Sequence, residues 1–210
     1  MSTTLAAVVL ATSMRLVASH DYAEGAPPGF SGGFKEESCH ACHFHEPLNS
    51  GPGRVTIEGV PATFAAGERY QLTITLMRAG MKRGGFQLAA RFKSDGTQAG
   101  TLAPAAVDAQ RVKVEGQSGV QYAGQRVMGS TAGADDTIRW VIEWIAPDRL
   151  EAVMFHVAAN AADGNESADG DFIHLTSAES SGMKEGAPCQ SEPGVSHADQ
   201  NQYPRDQRQR

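Results

Sequence analysis

The sequence predicts an all-β fold, an antiparallel β-sandwich preceded by an irregular N-terminal arm. Three observations carry this. From Arg54 onward, apolar and polar residues alternate in short runs, at the period of two that a half-buried strand requires. Gly, Pro, Asn and Asp separate these runs, as turns demand, and no stretch shows a convincing helical stripe. Of the 210 residues, 40% are apolar, enough to fill a sizeable core.

Taken in order, residues 1–19 read as a candidate export signal. "LAAVVLA" (5–11) is a short apolar run and "LVAS" (16–19) ends in small residues, giving a cleavage site after Ser19. Against this, no basic residue precedes the run, and Arg15 sits late. Residues 20–53 hold Gly, Pro and Ser with little periodicity and form the arm. The sandwich occupies 54–178. "RVTIEGV" places Val55 and Ile57 on one face, and "RYQLTITLM" does so for Tyr70, Leu72, Ile74 and Leu76. "GFQLAARF", "VKVEG", "TIRWVIEWIA", "EAVMFHVAA" and "DFIHLT" continue the series. Residues 179–210 are polar and cannot offset their ordering entropy by burial, so a disordered tail is expected.

Composition excludes several functions. A net charge of -6 argues against nucleic acid, whose phosphates need clustered Lys and Arg. No apolar run approaches the roughly 18 residues that a spanning helix needs. There is no Gly-rich phosphate loop, no G-x-S-x-G, no H-E-x-x-H and no carboxylate pair framed for acid–base work, so an enzyme is not expected.

The chemistry concentrates in the arm. "ESCHACHFHEP" (37–47) brings together Cys39, Cys42, His40, His43 and His45. Cys39-His40-Ala41-Cys42-His43 fits C-x-x-C-H, the attachment spacing of haem c. Two thiols three positions apart add to the two vinyl groups on one edge of the ring. The next residue then lies under the iron as proximal ligand. The expectation is one covalent haem c on Cys39 and Cys42, with His43 on iron. Three readings stand beside it. Zinc would take Cys39, Cys42 and two of the three histidines, although no second knuckle exists. A redox dithiol would sit between a strand and a helix, which the β pattern lacks. A structural disulfide would join two of the 3 cysteines, with Cys189 available. His40 and His45 are too close in sequence to His43 to wrap round the ring at about 3.3–3.6 Å per extended residue. They face solvent or the propionates, and a sixth ligand must come from elsewhere.

With these stretches in hand, the chain resembles the bacterial Reeler-like family, also called the choice-of-anchor V domain. The resemblance rests on "SCHACH", "VTIEGVPATFAAGERYQLTITL", "GGFQLAARF", "AGTL", "WVIEWIAP" and "VMFHVAANAADGNESADGDFIHLTS". These run from about 38 to 177, about two thirds of the chain. The resemblance implies an immunoglobulin-like sandwich of Reelin type and export, and it does not imply an enzyme. Two positions depart from the family pattern. Relatives often carry His in a Tyr-x-x-His-Thr-like stretch before the W-x-x-x-W strand, where this chain has "GVQYAG" with Tyr122. They often carry an aromatic where this chain has His156. The two residue types look exchanged, and if they face each other His156 replaces the missing imidazole. The family's usual C-terminal anchor is also absent from this hydrophilic tail.

Strand alternation puts Val153, Phe155 and Val157 on one face and Met154 and His156 on the other. His156 is therefore the first distal candidate, and Met81 in "RAGMKRGG" the alternative. His174, Met154 and Met128 follow, beside a vacant site, and Met77 and Met183 are poorer. "DGNESADGD" (163–171) has alternating oxygens like a calcium loop, but Ala168 stands where Gly belongs and His174 where Glu does. A solvated loop is the plainer reading. The expected function is an extracytoplasmic single-haem cytochrome that passes electrons to a redox partner protein. The alternative is a non-redox adhesion or binding module whose CHAC segment is a disulfide or zinc site. A haem sensor or small peroxidase would need an open sixth position, and no distal acid–base pair supports it.

Overall fold

Side chains along the longest strands divide between a sealed interior and a second, partly covered face. The computed structural model describes Tyr22 and residues 24–183. The candidate export signal and Cys189 lie outside the described residues, as does the tail beyond 183. The strands are β1 (Arg54–Glu58), β2 (Thr63–Phe64), β3 (Arg69–Met77), β4 (Arg83–Phe92) and β5 (Thr101–Pro104), then β6 (Val112–Gln117), β7 (Val120–Gln125), β8 (Thr137–Ile145), β9 (Val153–Ala162) and β10 (Phe172–Gly182). The helical content described is three 3-10 turns, Cys39–Ala41, Ala106–Asp108 and Val127–Gly129. No helix among the described residues is long and apolar enough to cross a membrane.

Two sheets face each other. One has four strands in the order β1-β3-β8-β5, the other six in the order β2-β10-β9-β4-β7-β6. The all-β sandwich is thus as expected, with one departure from strict antiparallel pairing. Ser181 and Gly182 of β10 run parallel to Thr63 and Phe64 of β2. Leu72, Ile74, Leu76, Trp140, Ile142 and Trp144 point inward from the smaller sheet, and Phe155, Val157 and Leu88 meet them from the larger. The Trp144 ring meets Phe155 edge-on at 4.9 Å, and Trp140 tilts against Phe86 at 4.6 Å. Both indole N–H groups are buried and satisfied: Trp140 donates to the Gly129 carbonyl at 2.8 Å and Trp144 to that of Ala99 at 2.9 Å.

β6 and β7 form a hairpin through Ser118 and Gly119, whose φ values of 52° and 80° give the primed turn that suits strand twist. β10 continues past the expected end of the sandwich at 178. Ser180 is fully buried, and Gly182 packs on Leu150. Burial there follows from the β2 pairing, which the polar sequence does not announce.

The arm lies across the outer face of the six-stranded sheet and makes a third layer. It explains why β4 and β7 are buried on both faces. Glu36 is the fastener: one carboxylate oxygen accepts from Arg91 and from the Tyr122 hydroxyl, and the other from Ser31 at 2.6 Å. Gln87 reaches the arm twice, donating to the Pro27 carbonyl at 2.8 Å and accepting from the Phe30 N–H at 2.5 Å. Further on, Asn49 takes up the free edge of β10. Its N–H donates to the Ile173 carbonyl at 2.9 Å, and its side-chain oxygen accepts from the Leu175 N–H at 2.7 Å.

Candidate functional site

The C-x-x-C-H segment is a single turn. Ser38 caps it, its hydroxyl accepting from the His40 N–H at 3.2 Å. The N–H groups of Cys42 and His43 both donate to the Cys39 carbonyl, at 3.3 and 3.1 Å. The local chain therefore holds both thiols and the following imidazole on one coil. Cys39 is half-buried and Cys42 exposed, and the two are not joined. Burial pushes the Cys39 thiol up to about 12; a backbone hydrogen bond acts against this, and the neighbouring Cys42 adds to it. A thiol held neutral at pH 7 is a poor nucleophile, which sets it apart from the low-pKa cysteine of a redox dithiol.

Each histidine of the segment has its own partner. The His40 Nε2 lies 3.0 Å from the Glu46 carbonyl. His45, its ring stacked with exposed Phe44, pairs with Asp169 at 2.9 Å on the surface. His43 points the other way, onto the sheet. Its Nδ1 lies 2.7 Å from Oδ2 of Asp171, a residue only 2% exposed. Asn160, on the outer face of β9, donates to the same carboxylate oxygen at 3.0 Å and lies 3.3 Å from Nδ1. Among the described residues the other oxygens of this pair, Oδ1 of Asp171 and Oδ1 of Asn160, are buried without a partner.

The acidic loop 163–171 is thus the seat of the cluster. Two histidines two apart meet two aspartates two apart. The rest of its oxygens close the loop on itself: Asn165 bonds Asp163 and the Asp169 carbonyl, and Ser167 and Asp169 take side-chain oxygens two residues back. Among the described residues no three His, Cys, Asp or Glu side chains are grouped to hold a metal ion. The zinc arrangement is not assembled, because His40 and His45 turn to Glu46 and Asp169. Nor is a Cys39–Cys42 disulfide formed.

The distal candidates are spread widely. His156 lies on the outer face of β9, opposite Ala89 of β4. The pairing of Leu88 with Ala123 sets Tyr122 beside Ala89 on the other side. Tyr122 and His156 therefore share one row across the sheet, about 9–10 Å apart at two strand spacings. The arm covers His156: a side chain on Gly33 would collide with its ring, and Phe34 meets it edge-on at 5.3 Å. Burial, helped by Arg91, pushes its pKa down and favours the neutral imidazole; Glu36 acts against this. Four positions along β9, about 13 Å, separate it from the Asn160 that touches His43. Met81 is 1% exposed and sealed between the sheets. His174 faces inward beneath Gly53 and Arg78. Met128 and Met183 are exposed, and Met77 and Met154 half-buried.

The donor chemistry fits a covalent haem at its anchored side: two unjoined thiols three apart on one turn, followed by an imidazole whose Nδ1 is engaged by Asp171 and whose Nε2, 3.5 Å from the Asn160 amide nitrogen, is the nitrogen that would face a metal. Asn160 is a site residue that sequence reasoning missed, and Asp171 was seen only as the last oxygen of the 163–171 loop, read as solvated and not as a partner of His43.

No family model matches the chain, and no curated protein does. Among solved structures it is similar to the human F-spondin reeler domain, at 15% identity and a TM-score of 0.43, over 67% of this chain and 98% of that one. It is also similar to a cohesin module from a Clostridium perfringens family 33 glycoside hydrolase, at 14% identity and a TM-score of 0.42, over 62% and 96%. A third similarity is to AvmM, which catalyses macrocyclization in alchivemycin A biosynthesis, at 11% identity and a TM-score of 0.41, over 67% and 94%.

Proposed function

We propose that the chain is an extracytoplasmic single-haem c-type electron carrier, with haem anchored by Cys39 and Cys42 and iron held by His43. The observation that carries this reading is the Cys39–His43 turn, which presents two free thiols and the adjacent imidazole from one carbonyl-centred coil. Bound there, the haem would supply one-electron chemistry at iron. The protein's own part is to hold the arm on the sheet, orient His43 and shield one side of the ring. His156, the first distal candidate from the sequence, lies four positions along β9 from the Asn160 that touches His43 and is covered by Gly33 and Phe34, so as folded here it does not reach an iron held by His43.

The test is expression with a c-type maturation system. A pyridine haemochrome of the c type, haem retained through acidified organic extraction and a mass gain of one haem are the expected results. Colourless protein from a host that matures other c-type cytochromes overturns the reading.

A second reading, a non-redox extracellular binding module, is favoured by one observation. The arm is secured by Glu36, Arg91, Tyr122 and Gln87, contacts that need no cofactor. Under that reading the protein is colourless and the arm is ordered without haem.

A further inference from the structure

We infer that Asp171 is a positioning residue for His43, holding the Nδ1–H so that Nε2 is aimed and made more basic as an iron ligand. This rests on the haem reading above. The argument begins with burial. Asp171 is 2% exposed, closes a nine-residue surface loop in which Glu166 and Asp169 are exposed, and sends its Oδ2 to His43 Nδ1 at 2.7 Å. That is a short contact for a nitrogen donor and a carboxylate. A carboxylate accepts only, so the ring nitrogen must carry the hydrogen and the tautomer is fixed, with the lone pair on Nε2. A metal-bound histidine with its other nitrogen held by a carboxylate is a stronger donor to the metal.

The same oxygen accepts from Asn160 at 3.0 Å, while Asp171 Oδ1 has no partner among the described residues. Asn160 therefore tempers the carboxylate: its N–H draws charge from the oxygen that His43 uses. Its 3.3 Å approach to Nδ1 brings two donors side by side over one acceptor. His45 offers the contrast. Its partner Asp169 is 69% exposed, so water competes for that carboxylate.

The test uses the haem-loaded protein and its midpoint potential. A more basic ligand stabilises ferric iron, so Asp171→Asn should raise the potential. Asn160→Ala removes the competing donor and should lower it. Asp169→Asn, which removes an equal charge two residues away, should leave the potential near that of the parent. Shifts of opposite sign at two contacting residues do not arise from general loosening of the arm. Asn160→Ala also keeps the claim open to refutation if Asp171→Asn fails to fold. Equal shifts in Asp171→Asn and Asp169→Asn, or no shift in either Asp171→Asn or Asn160→Ala, overturn the inference while leaving the haem reading intact. A parent that takes up no haem overturns both.

Discussion

At the scale of single residues, the three histidines of one short segment have three different partners. His43 is turned inward onto Asp171, His40 is tied to the Glu46 carbonyl, and His45 lies on the surface with Asp169. The haem reading then predicts unequal effects. His43→Ala should change the haem absorption spectrum far more than His40→Ala or His45→Ala, because neither of the other rings follows the second cysteine. Absorption spectra of the three variants check this, and equal damage in all three would point to a multi-histidine site. Cys39, Cys42 and His43 were legible in the sequence because their chemistry is local, fixed by spacing within one turn. Asp171 was not, because a strand end more than a hundred positions away brings it in, and an acid at the end of a polar loop reads as solvated. Tyr122 and His156 share one row across the sheet, but Ala89 of the intervening strand stands between them, so they do not face each other directly. What the sequence did not show is that the arm itself covers His156.

At the scale of elements, alternation revealed those strands that have one covered face. β3, β8 and β9 alternate clearly, and their inward residues are the core. β7 was missed because the arm buries its outer face as well, so Tyr122, Ala123, Gly124 and Gln125 show no period. β2, of two residues, is too short to carry a pattern. The arm that erases the β7 signal is fastened in part by one buried ion pair. The Glu36 and Arg91 side chains are 14% and 11% exposed. Glu36→Ala would leave Arg91 buried with only the Tyr122 hydroxyl and ring contacts from Phe34 and Tyr122. Breaking one side of a buried pair costs about 3–5 kcal/mol, and those remaining contacts place this case at about 3. Chemical denaturation should show that loss, and limited proteolysis should cut first within 31–38. A loss under about 1 kcal/mol would mean that the arm is held elsewhere. The C-terminal strand gives a second element-level expectation. Ending the chain after Met183 should keep the cooperative melt. Ending it after Glu179 removes the Ser181 and Met183 bonds to the Ala62 and Phe64 carbonyls, at 3.1 and 2.8 Å. At about 1 kcal/mol per bond, that truncation should cost at least about 2 kcal/mol. Equal melting temperatures for the two truncations would show that the β2 pairing contributes nothing.

At the scale of the whole molecule, the seam between the two sheets contains a group that couples stability to pH. His174 lies on the inward face of β10, in the row of Ala159, and is 2% exposed. Gly53, at the entry to β1 in the opposite sheet, sits against its Nε2, and a Cβ there would be 2.5 Å away. Nε2 is buried without a partner among the described residues. The charged group facing it is Arg78. Burial first, and the Arg78 guanidinium second, push its pKa below the ordinary histidine value of 6.5. Below about 6.5 the unfolded chain therefore takes up a proton that the folded chain refuses. The contribution of His174 to stability is fully present above that pH and is lost as pH falls toward the folded value. One proton sets the limit, at about 1.4 kcal/mol per pH unit. His174→Gln keeps a polar side chain of similar length but cannot titrate. Whatever the variant loses at pH 8, the gap between it and the parent should narrow as pH is lowered from 7 to 5. Denaturant unfolding of both proteins at each pH measures that gap. A gap that stays constant across the range would show that His174 does not gain or lose its proton differently in the two states.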